Sequence, residues 1–376
     1  MDYYQFVLPT ALAFATSYLL CGAFGWLARR IGFVDKPNEI HKKQRKATPL
    51  LGGVAVLTSF FLIVGIYSTS IDPQVQLMLM STGCMGLLGL TDDHISLAPR
   101  TKLIGQVLIC LPAAWIGFPL TTLNGFGLEF SLGSFAPLFV LLWLTACSNA
   151  INLLDGLDGV VGTVGIAICA SIVGVSFSQP TVPHHIAELS IWLAACLLGF
   201  LLHNWYPARL YLGDAGSLSI GLLLGMLSLR IETNTQAGLE IPGLLMLFAV
   251  PLVDMVFAMT RRILSGRSVA SPDNEHLHHR LHAYGFHVPY VALVIFVLAI
   301  CCGLSAVLTA VGGHEVVASG FCLSLFVWLA ALGMFGDIEA RYVWKALRQS
   351  ITPAHLRAGR SSRWVSVEIQ EPHQVP

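Results

Sequence analysis

Eleven apolar runs, each close to or above the length of a bilayer core, recur along this chain and fix what it can fold into. They lie at about 6–28, 49–69, 75–91, 102–119, 132–150, 159–178, 187–203, 216–230, 242–262, 289–310 and 315–335. A spanning helix needs about 20 apolar residues, with a lower limit near 17, so several runs are minimal and their ends are soft. No water-soluble core could hide them all. Hydrophobic residues are 55% of the 376 and charged residues 11%, against about 25% charged in soluble domains, and mean hydropathy is +0.72. In lipid every backbone polar group must be satisfied within the chain, which favours helices. The expected fold is an all-α polytopic transmembrane bundle of about eleven spans over residues 1–335. Residues 336–376 read as a basic tail, either beside anionic headgroups or merely solvated.

Orientation follows from Lys and Arg. With the N-terminus outside, the inner segments are 29–48, 92–102, 150–158, 204–215, 261–288 and the tail, and they hold 20 of the chain's 21 Lys and Arg; only Arg230 falls outside. The C-terminus is then inside. The first run has no basic residue before it and Arg29 and Arg30 after it, the reverse of a cleaved signal peptide, so it reads as a retained span. Net charge is +0, which gives no reason to expect nucleic acid. The nine cysteines all lie in apolar runs without a C-x-x-C and read as packing residues. No repeat or inverted half-repeat of the transporter kind is visible.

The inner loops differ from the outer ones in kind. Asn124–Gly133 and Ser178–His185 are bland, whereas the inner loops gather carboxylates, histidines and glycines. A carboxylate at a helix centre costs about 2.5–3.5 kcal/mol on insertion scales, so near a bilayer it is kept where it meets water, a cation or a substrate. In the first loop, Lys42, Lys43, Arg45 and Lys46 follow His41 and precede Thr48-Pro49-x-x-Gly52-Gly53. The charges fit either ordinary inner-face topology or an anion site. Thr48-Pro49 can cap and start a helix, and Gly52 and Gly53 let backbone approach a neighbour or ligand.

Asp92 and Asp93 are adjacent at the inner end of the third run. Such carboxylates raise each other's pKa unless a cation lies between them, and hard divalent cations prefer oxygen ligands. Arg100 and Lys102 follow and could hold a phosphate. Asn149, Asn152, Asp155 and Asp158 recur every third residue. On an α-helix each lies about 60° from the next, so the stripe stays aligned only if the turn tightens or breaks near Gly156 and Gly159. Asp214, in Gly213-Asp-Ala-Gly-Ser217 before a run, is either an N-cap or a metal or phosphate site. Five of thirteen histidines fall between His276 and His287, open to zinc, to a structural cluster or to contacts with phosphate or a base. Asp254, mid-run after Pro251, is expected to face the bundle, with Arg261 on the same face about 10 Å along the axis.

Taken in order, H-x6-T-P-x-x-G-G, D-D, N-x-x-D-G-x-D-G, G-D-A-G-S, P-x-x-D-x6-R-R and H-x-H-H, from about residue 30 to 285, resemble the polyprenyl-phosphate N-acetylhexosamine-1-phosphate transferases of bacterial envelope synthesis. His276-Leu277-His278-His279-Arg280-Leu281 is similar to the N-acetylglucosamine branch, which initiates O-antigen and related glycans, rather than to the His-His-His-x-Glu-Leu of the peptidoglycan translocases. The resemblance implies a multi-pass enzyme of the inner membrane with its site on the cytoplasmic face. It implies UDP-GlcNAc or another UDP-HexNAc as donor, undecaprenyl phosphate as acceptor, and Mg²⁺ (or Mn²⁺) as cofactor. Asp92, Asp93, Asp155 and Asp158 would be catalytic, and Asp214 and Asp92 would hold the metal. Lys42, Lys46, Thr48, Asn152, Asn204, His276, His278, His279 and Arg280 would bind substrate. Membrane lipids are the expected surroundings; monomer and homodimer both stay open. The rival classes are an ion-coupled transporter, with ionisable residues near the midplane, and a receptor that binds an anion without turnover.

Overall fold

The computed structural model describes residues 3–35, 47–68, 72–118, 120, 122–179, 181–232, 239–268, 273, 275–312, 314–334, 336, 340 and 343–344. Each of the eleven apolar runs falls on a helix or a helix pair. The first two are α1 (Tyr3–Ile31) and α2 (Gly52–Tyr67), joined through the short ladder of β1 (Val34–Asp35) and β2 (Thr48–Pro49). Next come α3 (Pro73–Ile95) and α4 (Pro99–Pro112), the latter ending in a π-turn over Ala113–Gly117. Then follow α5 (Ala136–Leu154), α6 (Val160–Ser178), α7 (His184–Asn204) and α8 (Gly213–Glu232).

The ninth run is two helices, α9 (Ile241–Leu247) and α10 (Ala249–Leu264), bent by 83° at Phe248. Pro251 sits in the first turn of α10, where a missing N–H costs nothing, so a fresh helix can begin there. Phe248 is buried edge-on against Trp143, with ring centroids 5.5 Å apart. A short α11 (Leu277–Ala283) precedes α12 (Val288–Gly312) and α13 (Glu315–Ala331). Six helices are long and apolar enough to cross a membrane, or seven if the bent pair is one span. The chain is therefore a mostly helical, multi-pass membrane protein.

The centre of the bundle is α8, whose hydrophobic stretch is 94% buried, against 22% for the peripheral α1. Without a hydrophobic drive between helices in lipid, close backbone approach is what holds them. On α8, a Cβ at Gly221 or Gly225 would meet Cys147 of α5 at 2.7 and 3.0 Å, and Ser148 Oγ–H donates to Leu218 O at 2.9 Å. On α3, Gly89 lets the helix touch the backbone of Asp214. The outward-facing side chains, such as Leu19, Ile66, Met80, Trp115 and Leu323, are apolar and exposed, as a lipid-facing surface requires.

The α3–α8 pair is antiparallel and tied at both ends. At one end Arg230 meets Asp72, the N-cap of α3, at 3.3 Å. At the other, Asp93 accepts from the amides of Asp214 and Ala215. Arg230 thus lies at the end opposite the acidic residues. That end also corrects the bland reading of 124–133: β3 (Thr122–Gly125) and β4 (Leu128–Ser131) form a hairpin, extended in parallel by β5 (Leu239–Glu240). The Phe126 amide at its turn donates to the carboxylate of Glu315. All nine cysteines are free thiols, and all but Cys84 are buried or half-buried.

Candidate active site

The site is assembled where the beginning of α8 meets the ends of α3, α4 and α5. Two backbone approaches set the frame. Gly52 and Gly53 donate to Tyr211 O and Leu212 O at 2.9 and 2.8 Å, and Tyr211 N–H donates to Pro49 O at 2.8 Å. The Thr-Pro-x-x-Gly-Gly segment is thereby a strand-like splint on the chain entering α8; a neighbour, rather than a ligand, fills the space its glycines leave. Gly213 has φ +71, and a Cβ there would meet Asp93 Oδ2 at 2.6 Å, so this turn admits glycine for two independent reasons.

Around that frame the carboxylates diverge and reconverge. Asp92 and Asp93, adjacent in sequence, turn apart. Asp93 caps α8 through two amides at 2.9 and 3.1 Å, an anion at a positive helix end. Asp92 accepts from Leu97 N at 2.6 Å and lies 2.9 Å from Lys102 Nζ. Lys102 also reaches Asp214 at 2.6 Å, so the cation that joins Asp92 to another carboxylate bridges α3 to α8. Asn152 donates to Asp214 Oδ1 at 2.7 Å and to Ser217 Oγ at 2.8 Å.

The every-third-residue stripe does break, as α5 ends at Leu154. Asn149 faces α4, exchanging hydrogen bonds with the buried Gln106 at 2.7 and 3.3 Å. Asn152 faces α8. Asp155 closes the helix, and Asp158 accepts from Ala208 N at 2.8 Å. Asn204 is buried and spends both amide atoms on backbone, accepting from Gly159 N–H and donating to Leu210 O, each at 2.9 Å. The structure places it as a tie between two loops.

Electrostatics single out Asp155. Burial, reinforced by Asp214, Asp93 and Asp158, pushes its carboxyl up to about 8. Burial likewise lifts Asp93 to about 7 against the pull of its two amides, and raises Asp158. Among the described residues Lys102 is the one cation bonded to this acidic group. The donor set therefore suits a hard cation, with Asp92 and Asp214 already converging on one positive atom. No three His, Cys, Asp or Glu side chains converge as ligands among the described residues, so a divalent ion here would take the remainder of its oxygen ligands from substrate and water.

The histidines flank the same loop. His276 and His278 are buried with rings parallel (2° apart, centroids 5.7 Å), and His279 lies 4.2 Å from His278. A Cβ on Gly156 would sit 2.4 Å from His278 Nε2, so this ring rests on the loop of Asp155. Both its nitrogens lack hydrogen-bond partners, and burial, with the neighbouring His279 and His276, holds it well below the usual histidine range, hence neutral. Arg280 is buried in α11, and Thr48 is buried in the β1–β2 ladder opposite Asp35. Lys42 and Lys46 lie outside the described residues. Lys102 carries the main difference from the sequence reading: it pairs with carboxylates where a phosphate contact was expected. Its three-turn distance from Asp92 across a helix break gave no local signal of that pairing.

These carboxylates lie within one stretch of similarity to known proteins. The profile of glycosyl transferase family 4 matches residues 75–232, the stretch holding Asp92, Asp93, Asp155, Asp158 and Asp214. A probable undecaprenyl-phosphate N-acetylglucosaminyl 1-phosphate transferase of Bacillus subtilis is 31% identical over 287 residues, 75% of this chain and 78% of that protein. The chain belongs to glycosyl transferase family 4. Within the family it is also similar to the decaprenyl-phosphate N-acetylglucosaminephosphotransferase of Mycobacterium leprae, 33% identical over 322 residues (74% of this chain, 77% of the relative). The undecaprenyl-phosphate alpha-N-acetylglucosaminyl 1-phosphate transferase of Salmonella typhi is 30% identical over 357 residues, 91% of this chain and 94% of its own length.

Proposed function

We propose that this family 4 protein transfers GlcNAc-1-phosphate from UDP-GlcNAc to undecaprenyl phosphate, releasing UMP, at the cytoplasmic face of a bacterial inner membrane. The observation that carries the reading is the convergence of Asp92 and Asp214 on Lys102, with Asn152 and Asp155 beside them. The names of the similar proteins support the sugar and the lipid. The placement of Arg230 at the end opposite the acidic residues, with Lys102 among them and the remaining Lys and Arg in the sequence segments read as inner, supports the inner face.

In the reaction an oxygen of the lipid phosphate bonds to the sugar-bearing phosphorus. The bond from that phosphorus to the bridging oxygen breaks, and UMP leaves with the electron pair. The attacking phosphate is already ionised near pH 7, so no strong base is required. The obstacle is repulsion between phosphates, which positioned positive charge relieves. Lys102, gripped by two carboxylates, keeps one such charge in place. Asp92 and Asp214, with Asp155 near them, are the residues proposed to hold Mg²⁺, which when bound neutralises charge on the diphosphate. Asp93 holds Asp214 in place through the first turn of α8, and Asn152 fixes the direction of its carboxylate.

The test is UMP release by the purified protein with undecaprenyl phosphate, Mg²⁺ and a panel of UDP-GlcNAc, UDP-GalNAc and UDP-MurNAc-pentapeptide. UDP-GlcNAc should be the productive donor, and Asp92→Asn and Asp214→Asn should each reduce turnover by about 100-fold or more. Unchanged UMP release in both variants would refute the roles assigned to them.

A further inference from the structure

The Pro251-x-x-Asp254 pattern with Arg261-Arg262 takes no part in the site described above, yet α10 presents two of these side chains to the histidine segment. Asp254 is 0% exposed, and both its oxygens are used. Oδ2 lies 2.9 Å from His276 Nδ1, and Oδ1 accepts from Leu277 N–H at 2.8 Å. Leu277 is the first residue of α11, so Asp254 supplies from another helix an acceptor for one of the amides that a helix start leaves unpaired. The N-cap position itself is His276, which makes no side-chain cap bond. Capping alone would be met by a Ser, Thr or Asp at that position. The sequence instead puts an imidazole there and brings the cap from α10, at the cost of a carboxylate buried in an apolar run. About 10 Å further along α10, Arg261 grips Asp273 with Nε at 3.1 Å and Nη2 at 2.6 Å. The start of the histidine segment is thus tied to one helix at two points.

A carboxylate only accepts hydrogen bonds, so the Nδ1 of His276 that faces it carries the hydrogen. Nε2 is then the ring atom open to a ligand; no described residue bonds it. The ring is stacked parallel on His278, which rests on Gly156 beside Asp155. We propose that Asp254 is a positioning residue for the transfer reaction: it acts through His276, holding the ring by Nδ1–H so that Nε2–H is turned to an anionic oxygen of the bound UDP-sugar. When it donates in this way the ring carries hydrogen on both nitrogens, and Asp254 supplies the balancing negative charge. The proposal rests on the UDP-sugar reading above.

A double-mutant cycle on the full-length protein in lipid nanodiscs tests it, with UDP-GlcNAc binding read by calorimetry and turnover by UMP release. Asp254→Asn suits the purpose because an amide oxygen can still accept from Leu277, while its NH₂ group opposes the Nδ1–H of His276. Asp254→Asn and His276→Ala should each weaken UDP-GlcNAc binding about tenfold, the scale of lost outer-shell support for a functional histidine. The double variant should be within about twofold of His276→Ala, because the two residues act as one unit. Deuterium exchange at the His276 ring Cε1–H, followed by mass spectrometry without any ligand, should change more than twofold in Asp254→Asn, while that of His185 at the other end of the bundle stays put. Losses that multiply in the double variant, or unaltered exchange at His276, overturn the assignment and leave Asp254 as a helix cap alone. A wild-type protein that binds no UDP-sugar overturns the functional reading and the ligand named here, an outcome distinct from bound sugar with multiplying losses.

Discussion

Replacing Gly53 by Ala tests whether the acidic site is set by backbone contact between α2 and α8. A Cβ on Gly53 would lie 2.2 Å from Gly216 N, 2.3 Å from Gly216 Cα and 2.7 Å from Leu212 O, where ordinary contact begins at 3.4 Å. All three atoms are backbone, so no side chain can swing aside and the start of α8 must move by more than 1 Å. Asp214 lies two residues before Gly216, and it carries the bonds to Lys102 and Asn152. Overpacking of this kind costs about 1–3 kcal/mol, and a 1 Å misplacement of a reacting group can cost about 100-fold in rate. The expected result is a lowered melting temperature together with a fall in kcat of about two orders of magnitude. Gly216→Ala should behave alike, since its Cβ would lie 2.6 Å from Gly53 Cα, and the pair should be non-additive. Gly65→Ala on the same helix α2 is the control: nothing lies within 4 Å of its Cβ, so it should be neutral or stabilising by up to about 1 kcal/mol. UMP release and thermal unfolding in detergent give both readouts. Wild-type kcat in Gly53→Ala would refute the argument that this contact places Asp214.

Stability should also depend on pH in a definite sense. Asp155 and Asp93, raised from 3.8 to about 8 and about 7, stabilise fully below the unfolded value and lose that contribution as pH rises through the folded one. In divalent-free buffer the melting temperature should fall between about pH 4 and 8, the interval between the unfolded and folded values; Asp155→Asn should flatten the slope, and a slope unchanged by that substitution would count against it. Asn204→Leu leaves Gly159 N–H and Leu210 C=O unpaired and should cost about 2–4 kcal/mol, read by thermal unfolding. Gly156→Ala drives a methyl to 2.4 Å from His278 Nε2 and should raise KM for UDP-GlcNAc about tenfold; an unchanged KM would remove His278 from the donor site.

Apolar length made the helices legible, because a bilayer imposes it whatever the packing. Every run lands on a helix or a pair, and the carboxylates that break those runs end up together. Three things were beyond its reach. The 83° bend at Phe248 breaks no periodicity, and its trace is Pro251, which is as compatible with a helix start as with a kink. The hairpin at 122–131 uses β-forming residues too few to outweigh a loop reading, and it depends on β5 more than a hundred residues away. The partners of the polar side chains depend on which helices adjoin. Thus Asp92 and Asp93 read as a pair but serve different helices, and Asn204 read as a pocket residue but ties Gly159 to Leu210. The glycines of the first loop were read correctly as places of close approach, though composition could not tell neighbour from ligand.

The double fastening of α3 to α8 has a mechanical consequence. Asp72 with Arg230 and Asp93 with the first amides of α8 act as latches on the two extremities of one antiparallel couple. Slipping one rod past the other by a single residue, about 1.5 Å, would unfasten both together. A thinner or thicker bilayer therefore leans the couple over more readily than it shears it, which favours a constant spacing of Asp92 and Asp214.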